Sequence, residues 1–102
     1  MQIDELQKMD LGGQAKVMKA LAHPSRLLIV QALMNHELCV GELRDLLGQD
    51  ISTVSRHLSV LKNAGLLAEE KRGLYVYYKL TTPCLSTFLN CVTQMVSESK
   101  TS

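Results

Sequence analysis

Apolar residues recur at helical spacing from the start of the chain. Ile3, Leu6 and Met9 lie three apart, Gly12-Gly13 interrupts, and Ala15, Met18, Leu21 and Ala22 resume the 3.6-residue period. This pattern predicts a first helix that breaks or bends at the glycines. His23-Pro24-Ser25 stops it, and Pro24 suits the opening turn of a second helix. That helix runs to about Met34 and carries Leu27, Leu28, Val30, Ala32 and Leu33. Asn35-His36-Glu37 reads as a turn. A short helix follows from about Val40 to Leu47, with Leu43, Leu46 and Leu47 inward and Gly48 closing it. Asp50 or Ser52 can cap the next helix, which reaches Ala64 before Gly65. Two helices meeting across about four residues that include a glycine have helix-turn-helix spacing.

After Gly65 the signature changes. Leu66-Leu67-Ala68 opens an extended segment, Lys71-Arg72-Gly73 makes a turn, and Leu74 to Leu80 is rich in β-branched and aromatic residues. The stretch 66–80 is a hairpin with a basic tip. Thr82 can cap a last helix that starts at Pro83, with Leu85, Leu89, Val92 and Val96 in one stripe flanked by Phe88 and Met95. Ser97 to Ser102 is a polar tail. The expected fold class is mostly α with a β-hairpin wing: about five helices and a two-stranded wing, in one domain over 1–102.

Composition adds one constraint. The 102 residues are 46% apolar and 21% charged, with few aromatics and no Trp, so the core is aliphatic and small. Apolar surface left on the helices at 3–22 and 82–97 therefore predicts a homodimer, with Leu85, Phe88, Leu89, Val92 and Val96 at the interface. No apolar run approaches the ~18 residues of a transmembrane helix. The acidic start Met1-Gln2-Ile3-Asp4-Glu5 is unlike a signal peptide. The expected address is the cytoplasm, with no membrane partner.

Charge is uneven. Residues 1–51 carry −2, residues 52–79 carry +3, and residues 80–102 are neutral. A local basic block can hold phosphate in a chain whose total is only +1. Within that block, a helical wheel centred on Val54 places Ile51, Leu58 and Leu61 within ~60° as the buried face. Ser52, Ser55, Arg56, Ser59 and Asn63 fall on the other side, at ~100–200°. Short hydroxyls with one arginine, and no acid between Ile51 and Ala68, suit close approach to a polyanion. Ser and Thr can bond phosphate or base edges, and Arg can grip guanine with two hydrogen bonds. Lys71 and Arg72 offer a second contact from the hairpin. The expected partner is double-stranded DNA.

The segments LAHPSRLLIVQAL, ELCVGELRDLLGQDISTVSRHLSVLKNAGLL and KRGLYVYYKL resemble the ArsR-type winged-helix repressors, the arsenical- and metal-sensing regulators of bacteria. The resemblance spans about residues 15–97. It implies a homodimer built from the first and last helices, an operator with two half-sites, and release when an inducer binds. It places the recognition positions on Ser52, Thr53, Ser55, Arg56 and His57. On the wheel His57 lies ~60° from the core centre, which suits packing or hydrogen bonding more than base reading. Asp50-Ile51 stands where the family often has Ser-Gln.

The same resemblance bears on the cysteines. Cys39 matches the first thiol of the arsenical sensors' Cys-Val-Cys motif, and Gly41 replaces the second. The zinc and cobalt sensors' ligand positions fall on Thr82, Cys84, Met95 and Glu98, of which only Cys84 and Glu98 are ligand types. The odd count of three argues against a disulfide framework. Cys84 and Cys91, two helical turns or ~10.5 Å apart, cannot chelate one ion directly. With Cys39, or across a two-fold axis, they could take As(III), another thiophilic ion or an oxidant. Cys39 follows a polar turn and is expected to be the accessible one. His36, three residues earlier, reads as a solvated turn histidine. The scattered histidines assemble no catalytic set, so the chain is not read as an enzyme. The competing reading is a winged-helix protein–protein module without DNA.

Overall fold

The computed structural model describes residues 2–101, the side chains of Lys100 and Thr101 excepted. In chain order the elements are α1 (Ile3–Gln7), α2 (Leu11–Leu21), α3 (Pro24–Leu33), β1 (Leu38–Cys39), α4 (Val40–Leu47), α5 (Ile51–Asn63), β2 (Leu67–Arg72), β3 (Tyr75–Leu80) and α6 (Leu85–Thr101). The fold is mostly helical with an antiparallel wing, as the sequence pattern predicts.

Several local details differ from expectation. The break in the first helix lies at Lys8–Asp10, not at the glycines. Asp10 caps α2 by accepting from the Gly13 N–H at 2.8 Å. A Cβ on Gly13 would stand 2.4 Å from Asp10 Oδ2, so a glycine is what lets the cap approach. The two strands of the wing, β2 and β3, are joined by a third, β1, in the order β1-β3-β2. Leu38 and Cys39 pair with Tyr78 and Tyr77, while β2 runs against β3 from Leu67↔Leu80 to Arg72↔Tyr75. The hairpin therefore turns at Gly73-Leu74, and Lys71 and Arg72 are strand residues. Finally, α6 starts at Leu85, not Pro83: the Leu85 N–H bonds back to Thr82 O and the Ser86 N–H to Pro83 O in a tighter turn. The polar tail stays helical through Thr101.

Fully buried Ile29, Val30, Leu43, Val54, Leu58 and Leu61 form the centre of the core, where α3, α4 and α5 meet. Leu66 and Leu67 close it below the wing, and Leu85 and Leu89 close it from α6. Burying such a side chain is worth roughly 1.5–3 kcal/mol, so this cluster carries most of the protomer's stability. Two apolar positions assigned inward are not: Leu46 lies at the margin of α4, and Ile51, at the first position of α5, projects past the end of the core and is 46% exposed. The radius of gyration is 15.6 Å, above the ~13 Å of a compact domain this size. Exposed apolar side chains on the terminal elements accompany this extension: Ile3, Leu11 and Met18 on α1 and α2, Phe88, Met95 and Val96 on α6.

Candidate nucleic-acid interface

The geometry of α5 is set at its start. Gly48 ends α4 in the left-handed region (φ 66°), its N–H reaching Arg44 O at 2.9 Å, and so turns the chain without side-chain strain. Gln49 Nε2 then donates to Ser25 Oγ of α3 at 2.8 Å. Asp50 is the N-cap, resolving the choice between Asp50 and Ser52. Its carboxylate accepts from the Thr53 N–H at 3.2 Å, from Thr53 Oγ1 at 2.7 Å, and from Ser52 Oγ. These donors, the Ser52 hydroxyl first, hold the Asp50 carboxyl well below its ordinary value. The one acid at the mouth of the helix is thus occupied by the cap.

Val54, Leu58 and Leu61 point into the core, and Ser52, Ser55, Arg56 and Ser59 are exposed on the opposite side, as the wheel predicts. Thr53 is half-buried and links the two ends of a short chain: it donates to Asp50 and accepts from Arg56 Nη2 at 3.3 Å. Arg56 is therefore folded along the outer face of α5. Asn63 is exposed at the far end, on a cleft of about 410 Å³ between α2 and α5 that Lys16, Lys19 and Val60 also line.

His57 is half-buried and turned toward α3. Its ring lies 4.5 Å from that of His23, tilted by 51°, and its Nδ1 is 3.4 Å from Arg26 Nη1. Burial, then His23, Arg26 and Arg56, lower its pKa below 6.5. His23, Arg26, Ser25 and Gln49 were not singled out by sequence pattern. The available signal is a polar run, His23-Pro24-Ser25-Arg26, opening an otherwise apolar helix.

On the wing, Arg72 is ion-paired to Glu37 and, at 3.0 Å, to Glu70, and its guanidinium lies 4.7 Å from the Tyr77 ring centroid. These carboxylates hold the Arg72 pKa above its ordinary value. Lys71 has no ion-pair partner among the described residues. Lys62, at the end of α5, is tied to Glu69 of β2, so the recognition helix and the wing are joined at their base.

The cysteines are arranged differently from expectation. Cys39 is buried, because β1 pairs with β3 and covers it; its backbone N–H donates to Glu42 Oε1 at 3.1 Å, capping α4. That bond is the first cause of a lowered Glu42 pKa. Cys84 and Cys91 are exposed. Cys84 precedes α6 and lies on an apolar cleft of about 260 Å³ with Val17, Met18, Leu85 and Phe88. Among the described residues no three Cys, His, Asp or Glu side chains are grouped to hold a metal ion. In α6, Leu85 and Leu89 are buried in the protomer's own core, Val92 is half-buried, and Phe88 and Val96 are exposed.

A helix-turn-helix whose second helix shows a hydroxyl- and arginine-bearing face, followed by a hairpin wing, defines a DNA-binding transcriptional regulator rather than an enzyme. The model of the "bacterial regulatory protein, arsR family" matches residues 23–69. The Biofilm growth-associated repressor of Xylella fastidiosa is 32% identical over 78 residues, covering 76% of this chain and 68% of that protein. The crystal structure of the transcriptional repressor BigR from Xylella fastidiosa superposes with a TM-score of 0.79 at 28% identity, over 93% of this chain and 96% of that one. The homodimeric winged helix-turn-helix DNA-binding domain Mb0332 of Mycobacterium bovis superposes with a TM-score of 0.78 at 30% identity, over 86% of this chain and 82% of that one. The chain belongs to the ArsR family of bacterial transcriptional regulators.

Proposed function

We propose that this regulator is a homodimeric repressor that holds double-stranded operator DNA through α5 and the wing and releases it when an inducer acts on its exposed cysteines. The outer face of α5 carries this reading. Ser52, Ser55, Arg56 and Ser59 are exposed there, and the acid at the head of the helix, Asp50, is occupied by its cap. Such a face can reach phosphates and base edges, and the exposed apolar residues of α5, Ile51 and Val60, flank it rather than interrupt it. Two copies are supported by the exposed apolar edges of α1, α2 and α6. A two-fold pairing would set two α5 helices against half-sites about one DNA turn apart, ~34–36 Å. The named relative is itself a repressor.

Cys84 and Cys91 are the thiols an inducer can reach. As(III), another thiophilic ion or a thiol oxidant fits that chemistry. A three-sulfur ligand set would need thiols from both protomers, because Cys39 is covered by the sheet. The place of action is the cytoplasm; no helix among the described residues is long and apolar enough to cross a membrane.

The test is selection of duplexes from a random pool by the purified chain, then competition with sodium arsenite, zinc, cadmium or diamide. A palindromic selected site, bound by a dimer and released by one of these agents, supports the reading. Failure to enrich any duplex overturns it. Enrichment without release by any agent removes the thiol-directed inducer and leaves the rest.

A further inference from the structure

We propose that Arg26 is a positioning residue for DNA recognition: through His57 it fastens the recognition helix α5 to the end of α2, and so sets how α5 is presented. This rests on the DNA-binding reading above. Arg26 occupies the third position of α3, near the positive end of that helix's dipole, where a cation gains nothing from its own helix. Its guanidinium reaches back instead. Nε donates to Ala20 O at 2.6 Å and Nη2 to Lys19 O at 3.4 Å, both in the last turn of α2. The residue four beyond Ala20 is Pro24, which has no N–H, so the Ala20 carbonyl cannot be met by the usual helical donor. Arg26 supplies the missing bond.

The third nitrogen, Nη1, faces His57 Nδ1 on α5 at 3.4 Å. One planar fork with donors fixed in direction thus joins α2, α3 and α5. The apolar contacts of Val54, Leu58 and Leu61 hold α5 against the core but carry no direction. Among the described residues the side-chain ties to α3 are two: Gln49 to Ser25 just before the helix, and Arg26 to His57 in its second turn. Both come from the first turn of α3. Because α2 also presents exposed Leu11 and Met18, a shift of α2 against a second copy would reach α5 through Arg26.

The bond fixes the state of His57. A guanidinium only donates, so Nδ1 must accept and the ring must be neutral with its proton on Nε2. Protonation would set a donor against a cation. The titratable and charged groups that act on this ring are His23 and Arg26 from the α3 side and Arg56 on its own helix; α2 contributes the carbonyls Arg26 holds. Burial most, and then each of these neighbours, disfavours a positive charge on the ring. The tie is complete above pH 6.5 and is lost as pH falls through the lower value that His57 has in the folded chain.

The experiment uses the full chain and a duplex that it selects from a random pool, with calf-thymus DNA as the non-specific probe. Arg26→Gln, Arg26→Lys and His57→Gln are compared with the parent by fluorescence anisotropy at pH 5.5–8 and at several salt concentrations, with folding checked by circular dichroism. Arg26→Gln is expected to lower affinity for the selected duplex about tenfold, with non-specific affinity and salt slope unchanged. Arg26→Lys should not restore it. As pH falls the parent should lose more affinity than His57→Gln does. Parent-like binding by Arg26→Gln overturns the proposal. So does a salt slope reduced by about one, which would make Arg26 a phosphate contact. Parallel pH profiles of parent and His57→Gln overturn it even if Arg26→Gln does not fold. A parent chain that selects no duplex overturns the DNA-binding reading and this inference with it.

Discussion

Arg72, in the outer strand of the wing, is ion-paired to Glu37, 35 residues earlier, in the turn that leads into β1. The pair links the wing to the segment before β1 and, with Glu70, leaves the Arg72 charge already countered before any DNA arrives. Lys71, in the same strand, has no ion-pair partner among the described residues. Lys71→Ala should therefore weaken binding to all sequences alike and reduce the salt slope by about one. Arg72→Ala should change the slope less, because it also frees Glu37 and Glu70. Salt titrations of both variants on one duplex decide it; equal slope changes would show that Arg72 leaves its carboxylates on binding.

Arg56 lies along Thr53, which is itself held by Asp50. Arg56→Ala should cost ~1–3 kcal/mol on a selected duplex and relax preference at one base position. Its effect on calf-thymus DNA should be small. Repeating the duplex selection with the variant reads both.

The Asp50 cap predicts a pH signature. The carboxyl is held below 3.8 in the folded chain, so its contribution is full above pH 3.8 and is lost as pH falls through the lower folded value. The difference in melting temperature between the parent and Asp50→Ala should be constant from pH 7 to about 5 and shrink only in strong acid. A difference that vanishes by pH 5 would mean that the cap is not held by these donors.

Leu89 and Phe88 are neighbours in sequence with opposite fates. Leu89 is 3% exposed and Phe88 39%. Leu89→Ala should destabilise the protomer by about 2–5 kcal/mol, as truncating a core leucine does. Phe88→Glu and Met95→Glu should leave the fold intact and yield a monomer with weak operator affinity. Sedimentation and thermal melting separate these outcomes; a wild-type monomer at micromolar concentration would remove the interface.

Thiol accessibility should divide the cysteines. Cys84 and Cys91 should react with a soluble disulfide reagent at least about tenfold faster than Cys39, because Cys39 must wait for β1 to open. Cys84→Ser or Cys91→Ser should blunt release of DNA by arsenite or oxidant, whereas Cys39→Ser should not. Equal response in all three variants removes the exposed thiols as the sensing groups.

The helices and the hairpin are legible in the sequence because their signals are local. The period through Val54, Leu58 and Leu61 assigns the buried side of α5, and Gly48 ends α4 where a left-handed residue is needed. A wheel has no ends, so it counts Ile51 as core although at the first position of α5 it is 46% exposed. Strand β1 has two residues, too few to show any period. Its pairing with β3 is what covers Cys39, so the accessibility of that thiol cannot be read from the polar turn before it. The Arg26–His57 and Arg72–Glu37 ties join residues 31 and 35 apart, and no spacing rule encodes them. Leu85 and Leu89 share the stripe of α6 with Val96, but the inner end of the helix meets its own core while the outer end extends beyond it.

The free edge of β2 has a consequence for the protein when it is not on DNA. An unpaired strand edge invites another copy to add a strand, and solubility depends on discouraging that. Here four successive edge residues are charged, Glu69, Glu70, Lys71 and Arg72, and all four are exposed. Alternating them with apolar residues would turn the wing into a template for sheet growth. The wing thus keeps a regulator that must wait unliganded from polymerising through its own sheet, and the carboxylates that serve this purpose also limit how much positive charge it can offer DNA.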